Sequence, residues 1–530
     1  MTARAWMPVL LAVLLAAPAQ AALTRGPYLM MGAPDAITVR WRTDVPTDSR
    51  VRLGPAPGAL ADAATSPVLT TEHELRLTGL APATRFTYAV GTTTQVLTGD
   101  DAATWFDTPP TAGSPATTRV WVLGDSGLPG SAQSRVRDAF AAFTGATPTD
   151  VWLMLGDNAY SAGADADYTN GLFTPYAAFL RTHVLWPTRG NHDILYAGTA
   201  NDYYDLFTMP TAAEAGGLPS STEAWYSFDH GDIHFVCLDS EGSDRSPTGA
   251  MMTWLESDLA ATDRRWIIAY WHHPPYTKGS HNSDDVLDSG GRMRDMRENA
   301  LPVLEDFGVD LVLNGHSHSY ERSFLVDGHY GSSGTLTPAM LKDAGDGRPG
   351  GDGAYLKSSG SPLPHEGEVV AVAGSSAQVS GGTLNHPVMA RSLNVLGSMV
   401  IDVRGNELDA VFLDDVGAVR DSFVIVKGGV VVDARPAPGT LLGLAIVGAN
   451  PTRGSCALTV SLPRAGRVRL SIVDAAGHLV RRLFSGAQAA GEARASWDGL
   501  AETQRPAPPG VYFAVLEFEG ARRVARLVRL

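Results

Sequence analysis

The sequence predicts a multidomain chain in which a central α/β domain stands between two β-sandwiches. At 530 residues it exceeds what a single core supports. Short alternating apolar segments, punctuated by Gly and Pro, fill residues 22–113 and 437–530 and read as sandwich strands. Between them, over 117–428, apolar runs alternate with helix-like segments, and nearly every run ends in a polar motif.

The first segment to explain is the amino end. Arg4 precedes an apolar stretch over 9–17, and Ala19-Gln20-Ala21 is a small-x-small cleavage pattern, so residues 1–21 read as a secretory signal peptide. No later apolar stretch has the length to cross a bilayer, and the expected location is secreted, cell-surface or periplasmic. The formal charge of −15 argues against a nucleic-acid groove or a polybasic membrane patch. Cys237 and Cys456 lie in different predicted domains. Cys237 sits in an apolar run and reads as packing, so no disulfide framework is expected.

In the first sandwich, residues 36–42, 49–53, 74–80 and 86–90 read as short strands, and His73 as a solvated strand residue without a role. Pro109-Pro110 and the Ser/Thr/Ala-rich stretch to Thr118 read as a linker. The central runs are 120–123, 151–155, 233–238, 266–271 and 311–313, with helices over 132–143 and 176–181. Residues 331–367 read as a long surface loop. Its Asp343, Asp346 and Asp352 do not have EF-hand spacing and are taken as solvated. Strands return at 368–372, 399–403 and 423–426. A second linker follows over 433–439, and then strands at 458–462, 468–473 and 511–518, with a hairpin turn over 474–477.

The chemistry gathers at the ends of the central runs. Gly156-Asp157-Asn158-Ala159-Tyr160 follows the run over 151–155; the glycine permits a sharp turn that leaves Asp157 at the strand's carboxyl end. Four further motifs end strands or equivalent loops. They are Gly124-Asp125-Ser126-Gly127, Gly190-Asn191-His192-Asp193, Trp271-His272-His273-Pro274 and Gly315-His316-Ser317-His318. Each alone is ordinary turn chemistry or strand alternation. Together they supply carboxylates, an amide oxygen, a phenol and imidazoles, an oxygen/nitrogen set suited to Fe, Zn or Mn, with no thiolate to favour Zn alone.

This order of motifs resembles the calcineurin-like metallophosphoesterases. Tyr160 and the run Gly315-His-Ser-His-Ser-Tyr-Glu-Arg322 make the resemblance specific to purple acid phosphatases, as do Gly328-His-Tyr-Gly331, His365-Glu-Gly367 and Asp421-Ser-Phe423. Arg25-Gly-Pro-Tyr28 through Trp41-Arg-Thr43 resembles the fibronectin type III-like domain that precedes the catalytic domain in that family. The resemblance implies a central sandwich of two β-sheets flanked by helices, and a dinuclear centre of Fe(III) with a divalent Fe, Zn or Mn. By it, Asp125, Tyr160 and His318 hold the first metal, Asn191, His272 and His316 the second, and Asp157 bridges them. The family usually carries Val three residues before its lone histidine, where this chain has Ala269, and His273 is a competing imidazole. His272 is preferred because Pro274 and Tyr276 then align. His192 and His281 match family histidines that contact phosphate, and Asn282 replaces a second adjacent histidine of plant-type members.

The implied activity is hydrolysis of phosphomonoesters by metal-activated hydroxide attack on phosphorus, with small phosphorylated substrates as partners. A phosphodiesterase or nucleotide hydrolase would use the same metals. A cell-surface binding protein with a vestigial catalytic domain is the reading from outside enzymology. Asn450-Pro-Thr452, residues 473–480 and Pro509-Gly-Val-Tyr512 resemble Ig-like modules that end secreted bacterial proteins. They imply a sorting or cell-envelope attachment partner, or else a domain that only packs.

Overall fold

The computed structural model describes residues 21–194, 202–428 and, with short interruptions, 443–529. The apolar stretch over 9–17, the linker over 433–439 and the Asn450-Pro451 pair lie outside the described residues.

The amino-terminal region is a six-stranded antiparallel sheet. Where the sequence suggests two short strands, one strand runs unbroken over Ala36–Gly54 and pairs along most of its length with Ala61–Thr78. Its first half also pairs with Leu23–Ala33 and its second half with Arg85–Gly91, with register shifts between Arg42 and Ser49 separating the two halves. No Gly interrupts residues 36–53, and pairing with Ala61–Thr78 resumes at Thr47 after a register shift that passes over Pro46. His73 is not solvated. It is fully buried, stacked on Trp41 at 4.8 Å, with Thr43 Oγ1 and Ser49 Oγ each 2.8 Å from its two ring nitrogens. The two hydroxyls satisfy both nitrogens, which lets a strand histidine leave water.

The central domain holds two seven-stranded sheets. In one, Thr118–Leu123, Val151–Met154 and Leu185–Pro187 run parallel, and Gly397–Arg404, Glu407–Asp414 and Val419–Lys427 extend it antiparallel. In the other, Ile233–Cys237, Trp266–Trp271, Leu311–Asn314 and Val369–Ala373 are parallel. Strict alternation explains the layers. Trp266, Ile268 and Tyr270 share a core with Val120, Val122 and Ile401 of the facing sheet. Ile267, Ala269 and Trp271 pack instead beneath Met251, Leu255 and Leu259 of helix Ala250–Ala261 and Leu301 and Leu304 of helix Leu301–Asp306. On the outer face of the first sheet, Trp121 stacks on Phe140 of helix Ser131–Thr144 at 4.0 Å. With both faces covered, these strands are mostly apolar, as the runs in the sequence indicate.

The stretch over 331–367 is not wholly a surface loop. It contains the short strands Leu341–Asp343 and Tyr355–Lys357, and Lys357 is fully buried with its ammonium 2.7 Å from the buried Asp310. Asp346 and Asp352 cap the loop between those strands, with the Asp346 N–H donating to the Asp352 carboxylate.

The carboxyl-terminal region pairs a three-stranded sheet with a four-stranded one around Leu458, Leu470, Trp497 and Leu516. The expected hairpin joins Gly466–Asp474 to Leu479–Gln488 through Gly477 at φ 86°. Cys237 and Cys456 are both buried free thiols.

Candidate metal centre

The parallel strands of both sheets deliver their carboxyl ends to one rim. The first sheet brings Asp125 after Leu123, Asp157 after Met154 and Asn191 after Pro187. The second brings His272 after Trp271, and His316 and His318 after Asn314. Close approach of these turns requires glycine. A Cβ on Gly156 would meet the His272 ring at 2.5 Å, and one on Gly190 would collide with the Asp157 carboxylate. Asp125, Asp157 and His316 themselves hold left-handed backbone, at φ 55°, 52° and 67°. Such conformations cost about 1–3 kcal/mol each and persist where surrounding structure imposes them.

All seven sequence-predicted ligands converge, in two groups. In the first, the Tyr160 hydroxyl lies 2.8 Å from Asp157 Oδ2, 3.3 Å from Asp125 Oδ1 and 3.4 Å from His318 Nε2. In the second, Asn191 Oδ1 lies 3.1 Å from His272 Nε2 and 3.0 Å from His316 Nδ1, and the two ring nitrogens are 3.2 Å apart. Asp157 faces both groups, since its Oδ1 stands 3.5 Å from His272 Nε2.

These separations fit a cation in each group. Donors held about 2.1 Å from one ion stand roughly 3.0 Å apart at a right angle and about 3.4 Å apart at a tetrahedral one. The imidazoles are also set as ligands. His272 Nδ1 donates to Leu155 O at 2.8 Å, which leaves the Nε2 lone pair facing the cluster. Burial and the neighbouring imidazoles, His273 foremost, hold His316 well below the ordinary histidine range, so it is neutral. His318 Nδ1 lies 2.9 Å from Ser380 Oγ, and its Nε2 faces Asp125 and Tyr160.

The neighbouring His273 is directed elsewhere, with Nδ1 2.9 Å from Ser240 Oγ and Nε2 3.5 Å from Glu241. His272 is therefore the imidazole that faces Asn191 and Asp157. His192 donates its backbone N–H to Asp157 Oδ1 at 2.8 Å, its Nδ1 lies 2.7 Å from Ser161 O, and its ring packs 4.3 Å from Tyr160. His281 stacks on His316 with centroids 3.9 Å apart, oriented by Asp288 at 2.8 Å.

Sequence reasoning missed the residues that hold these groups in place. The buried Asp193 carboxylate accepts from Gly190 N–H at 2.7 Å, Asn158 N–H at 3.1 Å and the Tyr168 hydroxyl at 2.7 Å, tying the Asp157 and Asn191 turns together. Ser289 Oγ meets His316 Nε2 at 2.6 Å. Asp193 was visible as the last residue of its motif. Asp288 and Ser289 carried only the turn signal of Asp-Ser-Gly-Gly.

The chain is similar to known proteins over the region that carries this site. Residues 118–320 match the family model described as calcineurin-like phosphoesterase, and 449–519 match that of the FlgD Ig-like domain. Human acid phosphatase type 7 is 30% identical over 333 residues, 56% of this chain and 69% of that protein. Arabidopsis thaliana purple acid phosphatase 15 is 29% identical over 282 residues, 48% of this chain, which spans about half (50%) of that relative's length. The purple acid phosphatase PPD1 from yellow lupin (Lupinus luteus) seeds has the same fold, with a TM-score of 0.58 over 76% of this chain and 75% of that one at 18% identity. The chain belongs to the calcineurin-like phosphoesterases, as a purple acid phosphatase-like member.

Proposed function

We propose that this protein is an exported dinuclear-metal phosphatase that hydrolyses phosphomonoesters. One observation carries the reading: Asp157 presents its two carboxylate oxygens to two separate donor groups, Tyr160 with Asp125 and His318 on one side, Asn191 with His272 and His316 on the other. Fe(III) in the first group and a divalent Fe, Zn or Mn in the second fit these donors, because a phenolate needs a strongly charged neighbour and the amide–imidazole set does not. Bound there, two cations would neutralise the phosphoryl oxygens and acidify a water enough to ionise at mild pH.

The chain's own residues do the rest. With Nδ1 donating to Ser161 O, a protonated His192 has its Nε2–H free to donate to a phosphoryl oxygen. His281, held by Asp288 and stacked on His316, stands on the opposite group and is placed to protonate the departing alkoxide. Export rests on Arg4, the apolar stretch over 9–17 and the cleavage pattern through Ala21; among the described residues no helix is long and apolar enough to cross a membrane. We assign the amino-terminal sheet to the fibronectin type III-like class, because its longest strand, Ala36–Gly54, changes one of its partners halfway, as a strand shared between two layers does. The carboxyl-terminal domain is assigned to sorting or envelope attachment, in keeping with its match to an Ig-like module.

The test is hydrolysis of monoester and diester substrates by metal-loaded protein, beside Asp157→Asn. Monoester turnover should fall more than about 10²-fold in the variant, beyond the usual cost of losing an outer-shell partner. A clear diester preference would replace the monoester assignment, and turnover unaffected by the variant would refute the bridging role.

A further inference from the structure

A second group of ligating side chains lies apart from the rim. Glu305 on helix Leu301–Asp306, Asp327 after strand Leu325–Val326, and His365 each bring one ligating atom within 4.8 Å of the others. His365 Nδ1 lies 2.9 Å from Asp327 Oδ1, and its Nε2 3.1 Å from Asp306 Oδ1. Lys342 Nζ is 3.1 Å from Asp327 Oδ2. Glu305 Oε2 accepts from Gly328 N–H at 2.8 Å and from the Tyr330 hydroxyl, yet Glu305 Oε1 is buried with no hydrogen-bond partner.

A second observation lies beside it, where the Glu368 backbone pairs with Val326, next to Asp327. Glu368, immediately before strand Val369–Ala373, is fully buried, and neither of its carboxylate oxygens has a partner. Of the charged groups acting on it, Glu305 is the strongest; the Lys357 ammonium acts against it, and Asp327 acts in the same sense as Glu305. Buried carboxylate oxygens are almost always satisfied, and one shared proton serves at most two of these three. Without a cation, burial pushes Glu305 up to about 7 and Glu368 well above the ordinary carboxylate range. A divalent charge is what would let both ionise.

We propose that Glu305, Asp327, His365 and Glu368 form a separate structural site for one divalent first-row cation, Mn²⁺ or Zn²⁺. Three carboxylates and one imidazole suit such an ion, whereas Ca²⁺ takes six to eight oxygens. The ion replaces the proton that His365 shares with Asp327. It joins helix Leu301–Asp306 and the Asp327 turn to the start of the strand whose far end, at Ala373 and Gly374, abuts Gly124 and the Asp125 carboxylate. The site stands independently of the dinuclear reading.

The experiment strips the full chain with chelator, reloads it with Mn²⁺, removes free metal and counts bound manganese by mass spectrometry, beside Glu368→Gln and His365→Ala. Each variant should hold one equivalent less than the parent, with phosphate-ester turnover unchanged. His365 is half exposed, so its loss leaves the core intact should Glu368→Gln fail to fold. Repeating the comparison in an Asp157→Asn background separates the two sites: the one-equivalent difference persists there even if the dinuclear centre is lost. Equal manganese in the parent and His365→Ala overturns the proposal.

Discussion

Burial and the carboxylates of Asp125 and Asp157 push the Tyr160 phenol well above its ordinary range, so it ionises only beside a cation. Iron-loaded protein should therefore show a visible phenolate-to-iron absorption, and Tyr160→Phe should be colourless in the same spectrum; a parent protein without colour would remove Tyr160 from the ligand set. His192→Ala keeps the backbone N–H that reaches Asp157 while deleting the ring. Its turnover should fall about 10²-fold with metal content unchanged, the usual scale for a lost proton donor. Unchanged turnover would restrict His192 to its backbone contact. At this scale the candidate ligands that converge at the rim were legible, because each sits in a short motif after an apolar run. The left-handed backbone at Asp125, Asp157 and His316 was not, since none is glycine and the surrounding turns impose it.

His234 shows how elements lock together. Its ring joins two strands and a helix, with Nδ1 2.8 Å from Asp229 on Tyr226–His230 and Nε2 2.9 Å from Asp258 on Ala250–Ala261. Burial alone would lower its pKa, but the two carboxylates outweigh that and raise it to about 9. A raised histidine stabilises the fold fully below its unfolded value near ~6.5, and that contribution fades as pH rises through the folded one. The parent should lose on the order of 3 kcal/mol between about pH 6.5 and 9.5 that His234→Gln does not lose, as measured by denaturant unfolding across that range. Parallel pH profiles would show that the carboxylates do not hold the charge. Strand existence was legible from apolar runs. This pairing was not, because nothing in the sequence says which acids the turn of a helix brings opposite a strand histidine.

At the scale of the molecule, the amino-terminal sheet is fastened to the central domain by polar contacts across their boundary. Arg25 and Arg42 both grip Asp165, at 2.8 and 2.6 Å, the Tyr28 hydroxyl donates to Leu206 O at 2.8 Å, and the Tyr88 hydroxyl donates to Arg181 O at 2.8 Å. Burial works against ionisation of Asp165, but the two guanidinium groups outweigh it and hold its carboxyl at about 2. The stability it contributes is present above the unfolded value of about 4 and lost as pH falls toward 2. Asp165 is more than a third exposed, so the net gain is under about 1 kcal/mol. Asp165→Asn should lower Tm by about 1–2 °C at pH 6 and by less near pH 2, as read by calorimetry; an equal loss at both would mean the residue acts through shape alone.

The sequence by itself determined the apolar strands and the short motifs from which the candidate metal-centre residues are drawn, because periodicity and short motifs are local properties of the chain. It also carried the family resemblance that human acid phosphatase type 7 bears out. Only the tertiary structure decided that His272 rather than His273 faces Asn191, since adjacent residues on one strand point to opposite sides. The same holds for the burial of His73 and for the meeting of Glu305, Asp327 and His365. Those facts depend on which distant segments pack together, and packing belongs to the whole chain rather than to any stretch of it.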